Sequence, residues 1–558
     1  MLALRDVTLT LGAGPDEQTL LGEVAARFPR RHFAAILGPS GCGKSTLLKV
    51  IGGLREPTAG HVEWDGRDLS REGDLAPHEI GYVPQFGIAY EWLTVRESVE
   101  CARRLRVAGG EVAARVESIL TEVGHDEIAA RPVRVLSGGQ RRRLALALEM
   151  VSAPHLLLCD EVTSGLDPKA EDEIARLMHR LSRGDERIVL SVTHSLRHLA
   201  LYDSVLVLYR GRLAYHGPPD FLFHYFDVAT PEELFPRLAE RAPEEWHRSW
   251  VKYRDAYVSE IGDGKAEIES EAVATPSIAT QFAVLLARRW RIFFRDRGQL
   301  WLHLALLLGF PMLVVIFALD GLPQIKNLNG VVSANPVQQF LNEAAQKVEL
   351  MHTGSLVSGL IMFQVILLAL MGSNNAAREI AGERLIFEKE KFAGLRASAY
   401  VASKVAFLGA LVLAQSVWMG LFVNMIVQFK GSLAVQIALL ALVNAALTAV
   451  CLAVSSLMKS AEQASLVSVY LVGFQLPLSG AVLALPAAIG WITRPFIASY
   501  WGWSGFIQTM RDTRFYEAML SVTQTKLAAA PLCAWVLVCH VLLGVLLAYV
   551  GCKNSRWE

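Results

Sequence analysis

The chain has 558 residues, 52% of them hydrophobic and 19% charged, and its 54 basic side chains are balanced by 54 acidic ones. That length exceeds what one hydrophobic core usually serves, and the neutral balance leaves no polybasic footprint for nucleic acid. Cys42, Cys101 and Cys159 lie in the more charged first half and Cys451, Cys533, Cys539 and Cys552 in or beside apolar runs, with no zinc-like spacing and no structural disulfide expected.

The opening run, MLALRDVTLTLGAG, alternates apolar and polar residues and lacks a basic segment followed by an apolar core, so it is expected to form a strand rather than a cleaved leader. Residues 1–225 alternate β-rich runs (Phe33–Leu37, Leu156–Asp160, Ile188–Thr193, Val205–Tyr209) with helical stretches, an α/β pattern that predicts a largely parallel sheet. Directly after the first of these runs stands Gly38-Pro39-Ser40-Gly41-Cys42-Gly43-Lys44-Ser45-Thr46. Here glycines let backbone N–H groups converge on phosphates, Lys44 reaches the β- and γ-phosphates, and Ser45 is placed to ligate Mg²⁺. The run Leu156–Cys159 ends in Asp160 and Glu161. Two acids at a strand end are usually only solvated. Behind a phosphate loop they suit a magnesium ligand (Asp160) and a base that orients or deprotonates water (Glu161).

Residues 226–278 carry Pro231, Pro236, Pro243, Pro276 and a Gly262-Asp263-Gly264 turn, and are expected to be a linker. A transmembrane domain is expected over 279–558. Its first helix, about 280–297, either lies on the cytosolic membrane surface or packs on protein. Apolar spans follow at about 299–319, 355–373, 401–427, 433–457, 465–485 and 529–551, six crossings of an all-α domain. Basic residues divide unevenly between their ends. Arg288, Arg289, Arg291, Arg295, Arg297, six more between Arg378 and Lys404, Lys459, Lys553 and Arg556 fall on one side; Lys326, Lys347, Lys430, Arg494, Arg511, Arg514 and Lys526 fall on the other. Six spans predict a multi-pass membrane protein, and that bias predicts both termini and residues 1–225 in the cytosol. The segment 486–526, with Trp491, Tyr500, Trp501 and Trp503, is either re-entrant or a folded exterior loop.

Leu136-Ser137-Gly138-Gly139-Gln140, about twenty residues before the acidic strand, resembles the signature motif of ABC transporters. Tyr82-Val83-Pro84-Gln85 is similar to that family's Q-loop, Ser164-Gly165-Leu166-Asp167 to its D-loop, and Val192-Thr193-His194 to its switch histidine. The resemblance implies ATP and Mg²⁺ as cofactors. It implies catalytic roles for Lys44, Gln85, Glu161 and His194, magnesium ligation by Ser45, Gln85 and Asp160, and a second cassette whose Ser137, Gly138, Gly139, Gln140 and Asp167 close over the nucleotide. One chain supplies one cassette, so the implied partner is a second copy or a related half-transporter. Two departures stand out: no aromatic near Leu11–Gln18 to stack adenine, and Val162 where the family has Pro.

Cassette first and membrane domain second resembles the G subfamily and its bacterial relatives. So do Leu93-Thr94-Val95-Arg96-Glu97-Ser98, Arg141-Arg142-Arg143 with Glu149, and the loop 378–400, which that resemblance makes the coupling loop. The expected activity is ATP-driven export of a hydrophobic or amphipathic, lipid-like substrate through a membrane. Phe363, Phe474 and Gln475 are candidate substrate contacts, although amides such as Gln364, Gln415, Asn424, Asn444 and Gln475 more often hold helices together. The alternative is a mechanotransmitter, an ATPase that acts on a membrane or partner protein without moving a solute.

Overall fold

A computed structural model of the chain describes every residue except 13–16, 86, 185, 259–273, 320–335, 483 and 558. The Gly262-Asp263-Gly264 turn and Lys326 lie outside the described residues. Two units separate: Met1–Val284 with Leu385–Arg396 and Arg556–Glu558, and Leu285–Arg384 with Ala397–Ser555.

The first unit is built on ten strands: β1 (Leu2–Leu11), β2 (Gln18–Phe28), β3 (His32–Leu37), β4 (Ala59–Trp64), β5 (Arg67–Asp68), β6 (Ile80–Val83), β7 (Leu156–Asp160), β8 (Ile188–Val192), β9 (Ser204–Tyr209) and β10 (Arg212–Gly217). Their order is β5-β4-β1-β2-β10-β9-β3-β8-β7-β6. The run β9-β3-β8-β7-β6 is parallel, as expected for strands apolar on both faces. The sheet as a whole is mixed, because β5, β4, β1 and β2 pair antiparallel and β10 joins the halves. The alternation in β1 marks it as a strand with one covered face, which an antiparallel pair accommodates. Flanking helices include α1 (Lys44–Ile51), α2 (Val95–Arg106), α3 (Gly138–Met150) and α4 (Pro168–Arg183). β3, β7, β8 and β9 are buried along their whole length, so the loops at their ends hang from the most rigid part of the unit.

The second unit is helical. Its main elements are α5 (Ile278–Arg295), whose first residues belong to the first unit, α6 (Arg297–Leu319), α7 (Pro336–Ala376), α8 (Arg384–Phe392), which groups with the first unit, α9 (Ala397–Val427), α10 (Leu433–Leu457), α11 (Ala461–Gly473), α12 (Ala498–Gln508), α13 (Arg514–Val522) and α14 (Ala530–Asn554). Among the described residues five helical runs are long and apolar enough to cross a membrane: Arg297–Ala318, Pro336–Phe392, Ala397–Val427, Leu433–Leu457 and Ala530–Asn554. The expected span at 465–485 takes another form. α11 has 13 residues, breaks at Phe474 and resumes only for Gln475–Leu478. Pro477 cannot donate to the Gly473 carbonyl, so the ladder is interrupted there. α7 is longer than its expected span. Its 41 residues extend about 60 Å, roughly twice the hydrocarbon thickness, so its polar start (Gln338, Gln339, Asn342, Glu343) projects beyond the apolar layer.

α6 and α14 keep Trp301, Met312, Ile316, Phe317, Trp535, Leu542 and Leu543 exposed, the surface a lipid solvent favours. α10 and α14 approach closely. A Cβ on Gly544 would lie 2.6 Å from the Ala449 carbonyl carbon, and one on Gly551 2.3 Å from Ser456 Oγ, the small-residue contact by which helices associate in lipid. Buried amides fasten three helices: Asn375 Nδ2 donates to Gln415 Oε1 (2.9 Å), Gln415 Nε2 to Asn375 Oδ1 (3.1 Å), and Asn444 Nδ2 to Gln415 Oε1 (3.1 Å). For α5, the two readings divide in favour of packing at Arg289, whose guanidinium is buried against Glu379 (2.6 and 2.8 Å) and lies 4.2 Å over the Phe407 ring. Glu379 also takes the Lys404 ammonium at 3.0 Å.

Candidate functional site

The loop from β3 to α1 needs its glycines. Gly38 has φ 150° and Gly43 φ 103°; a Cβ on Gly38 would meet the Leu208 carbonyl oxygen at 2.2 Å, and one on Gly43 the Leu20 carbonyl oxygen at 3.0 Å. Ser40 and Gly41 form the exposed rim. Lys44 is buried, and its ammonium donates to the Gly38 and Pro39 carbonyls, each at 2.9 Å. Ser45 and Thr46 follow in the first turn of α1, where unpaired N–H groups and the helix dipole favour anions.

Two carboxylates anchor two small networks at the end of β7. Ser45 Oγ donates to Asp160 Oδ1 at 2.8 Å and the Tyr82 hydroxyl to Asp160 Oδ2 at 3.2 Å. Burial raises the Asp160 carboxyl above its usual range, opposed by these two hydrogen bonds. Burial and the adjacent carboxylate push the Tyr82 hydroxyl up, so it stays a donor. Glu161 stands at φ 48°, a conformation side chains other than glycine rarely adopt and one concentrated at functional sites. Gln85 Nε2 donates to its Oε2 and His194 Nε2 pairs with its Oε1, each at 2.7 Å. Gln85, Glu161 and His194, far apart in sequence, thus meet on one carboxylate. Val162 is fully buried and leaves both acids in place.

Ser137, Gly138, Gly139, Gln140 and Asp167 stand together in a different part of the unit. Ser137 caps α3: its Oγ accepts from Gln140 N (3.3 Å) and its N–H donates to Gln140 Oε1 (3.0 Å). Asp167 caps α4, accepting from Lys169 N (3.1 Å) and Ala170 N (3.0 Å). Both caps line an open cleft of about 680 Å³ with Arg143 and Leu166. Beneath it, buried His125 places Nε2 2.9 Å from the Gln140 carbonyl oxygen and Nδ1 3.1 Å from that of Gly124. No motif pointed to His125.

A further buried cluster is centred on Glu149, which the sequence set beside Arg141-Arg142-Arg143. Arg106 donates to it at 2.8 and 3.3 Å, and Lys389 of α8 lies 2.7 Å away. Burial alone would raise this carboxyl; the two cations outweigh it and hold it at about 2. Gln281 reinforces the same segment, donating to the Leu105 and Gly394 carbonyls (both 3.1 Å) and accepting from Arg396 N (3.1 Å). Of the candidate substrate contacts, buried Gln475 accepts from Ser499 N at 3.0 Å, whereas neighbouring Phe474 is 58% exposed. Phe363 packs edge-on against Phe317 at 5.4 Å. Gln475 is thus buried and bonded to the start of α12, while Phe474 beside it is exposed.

A phosphate loop at a helix start after β3, with an acid pair at the end of β7 two strands away in the same parallel run, defines a P-loop nucleotide-binding unit. Residues 21–164 match the family described as ABC transporter, and residues 280–509 that described as ABC-2 type transporter. The chain is 29% identical over 534 residues to the ABC transporter ATP-binding/permease protein Rv1747 of Mycobacterium tuberculosis, covering 91% of this chain and 57% of that protein. It is 31% identical over 266 residues to the methionine import ATP-binding protein MetN of Chromohalobacter salexigens, covering 44% of this chain and 77% of that one. With the sulfate/thiosulfate import ATP-binding protein CysA of Ralstonia nicotianae it shares 36% identity over 217 residues, 38% of this chain and 58% of that one. The chain thus spans little more than half the length of Rv1747 and of this CysA. A solved dimeric structure of the ATP-binding cassette MJ0796 with ADP and Pi aligns at 29% identity and a TM-score of 0.37, covering 39% of this chain and 99% of that one. The chain belongs to the ABC transporter family, with an N-terminal ATP-binding cassette followed by an ABC-2 type membrane domain.

Proposed function

We propose that this chain is an ATPase whose turnover drives export of a hydrophobic or amphipathic, lipid-like compound through a dimer of half-transporters. The observation that carries the ATPase is the meeting of Gln85 and His194 on Glu161 beside the Ser45–Asp160 pair. Lys44 and the N–H groups of the loop bind the phosphates. Glu161 orients a water for attack and takes up its proton, and Gln85 and His194 hold that carboxylate in place. Ser45 Oγ and Asp160 Oδ1, 2.8 Å apart, are hard oxygen donors suited to Mg²⁺. Among the described residues no three His, Cys, Asp or Glu side chains form a metal site by themselves, which fits an ion shared with nucleotide phosphates. When bound, Mg²⁺ would neutralise charge developing on the transferred phosphoryl group.

Dimerisation is supported by the exposure of Ser137, Gly138 and Asp167 on a cleft separate from the phosphate loop. In the family such a surface closes over the nucleotide of the other cassette. Lipid-like cargo is supported by the membrane unit's interior amides, which bond one another and leave mostly apolar groups for a substrate. The MetN and CysA likenesses cover 44% and 38% of this chain and are to proteins named for ATP binding, so their named import substrates do not argue for a cargo here. The basic bias of the span ends supports a cytosolic cassette and cytosolic termini. Lys389 on Glu149 supports the reading of 378–400 as the coupling loop.

Inside-out vesicles containing wild type or Glu161→Gln, given ATP and cellular extract, test the reading. A lipid or amphipath accumulating only with wild type is the expected result. Normal ATP turnover with no accumulated compound would replace export by mechanotransmission.

A further inference from the structure

Trp557 follows the last membrane helix, α14, by three residues, yet Arg556–Glu558 group with the first unit. Its indole meets the Tyr82 ring edge-on, 5.0 Å between centroids at 72°, and the Phe392 ring of α8 at 5.9 Å and 63°. With Leu385 and Leu54 it walls a cleft of about 220 Å³ that reaches Gln85 and Asp160. Tyr82 is only 3% exposed, and the far end of its ring carries the hydroxyl that donates to Asp160 Oδ2. A continuous run of contacts therefore leads from Trp557 through one buried ring to the carboxylate beside Ser45. Gln85, whose amide holds Glu161, lines the same cleft.

We propose that Trp557 is a positioning residue of the ATP site, fixing Tyr82, and through it Asp160, from the segment that leaves α14, as a second connection to the nucleotide site beside 385–396. This rests on the ATPase reading above. An aromatic ring set edge-on against a buried tyrosine restricts that tyrosine's tilt, and the tilt sets where its hydroxyl meets Asp160. Loss of a group bonded directly to a ligating carboxylate, as Tyr82 is to Asp160, typically costs tenfold to a hundredfold in metal affinity or activity, and the loss of Trp557 is expected at the lower end of that range. Substrate affinity, governed by Lys44 and the loop amides, is left alone.

The test is steady-state ATP hydrolysis by the full chain in lipid nanodiscs. Trp557→Ala is expected to lower kcat about tenfold with KM for ATP changed less than about twofold. Trp557→Phe, which keeps an edge-on ring, is expected to recover most of the rate. Trp557→Ala combined with Tyr82→Phe is expected to be no slower than the slower single variant, because both act through one hydroxyl. Should Trp557→Ala not fold, Trp557→Leu carries the same expectation, keeping bulk without a ring. A wild-type kcat in Trp557→Ala or Trp557→Leu, or losses that multiply in the double variant, overturns the proposal. Wild-type turnover abolished by Glu161→Gln but intact in Trp557→Ala removes this inference alone; a wild type with no turnover removes the ATPase reading and this inference together.

Discussion

The cassette and the membrane unit hold their polar residues for opposite reasons. In the cassette, Gln85, Glu161 and His194 form a small network at the C-terminal ends of β6, β7 and β8, and in the proposed ATPase each residue type is dictated by chemistry. In the membrane unit, Asn375, Gln415 and Asn444 form a network of similar size that is wholly buried and fastens helices. The first is written in the sequence as motifs and the second only as amides scattered through apolar runs. A buried polar group must be paired wherever it falls, but only a reacting site demands one residue type at one place.

Substitutions should break this contrast to different degrees. The largest effect is expected at Glu161: Glu161→Gln should lower ATP turnover by about a hundredfold to ten-thousandfold while nucleotide binding, followed by a fluorescent ATP analogue, stays near wild type. Equal losses of binding and turnover would reduce Glu161 to a structural role. Next comes Glu149, whose replacement by Ala leaves Arg106 and Lys389 facing each other in a buried site. A loss of about 3–5 kcal/mol is expected, visible as a lower unfolding temperature of the full chain.

The pH dependence of that second effect has a definite sign. The Glu149 carboxyl lies near 2, below its ordinary 4.5, so the stability it contributes is fully present above about pH 4.5 and is lost as pH falls toward 2. The wild-type advantage over Glu149→Gln should be flat through neutral pH and shrink only in acid. A difference that changed between about pH 6 and 8 would show that another group carries it.

Gln415→Leu should cost about 0.6–1.7 kcal/mol, the range for hydrogen bonds between helices in lipid, with turnover per folded protein unchanged. The smallest effect is expected at Phe474, which is exposed: Phe474→Ala should change stability by less than about 0.5 kcal/mol. A large fall in transport from Phe474→Ala, with ATP turnover preserved, would return that ring to the cargo path.

What was legible in the sequence follows the same division. The phosphate loop, the Asp160–Glu161 pair and the motifs that contain Ser137 and Asp167 are local, each written in a few consecutive residues. The spans at α6, α9, α10 and α14 were legible from length and apolarity alone. The join of Tyr82 to Trp557 was not, since nothing in either neighbourhood announces a partner some hundreds of positions away. The partners of Glu149 were hidden for the same reason: the resemblance set it with Arg141-Arg142-Arg143, and Arg106 and Lys389 resemble solvated charges until the fold buries all three. The break at Phe474 had a signal in Pro477, outweighed by the apolarity around it. In β1 the alternation was visible, but its antiparallel pairing with β2 and β4, which makes the sheet mixed, was not.

The central claim is that each ATP site is completed by a second copy. It is tested most directly by ATP hydrolysis in doubly tagged dimers carrying Lys44→Ala and Ser137→Arg. With both changes on one protomer, each site has lost either its loop or its signature; with one change on each protomer, both losses fall in a single site and the other is intact. The account predicts clear turnover for the second arrangement and background turnover for the first, whereas a dimer with both changes on one protomer that is as active as the divided one, or more so, would contradict it.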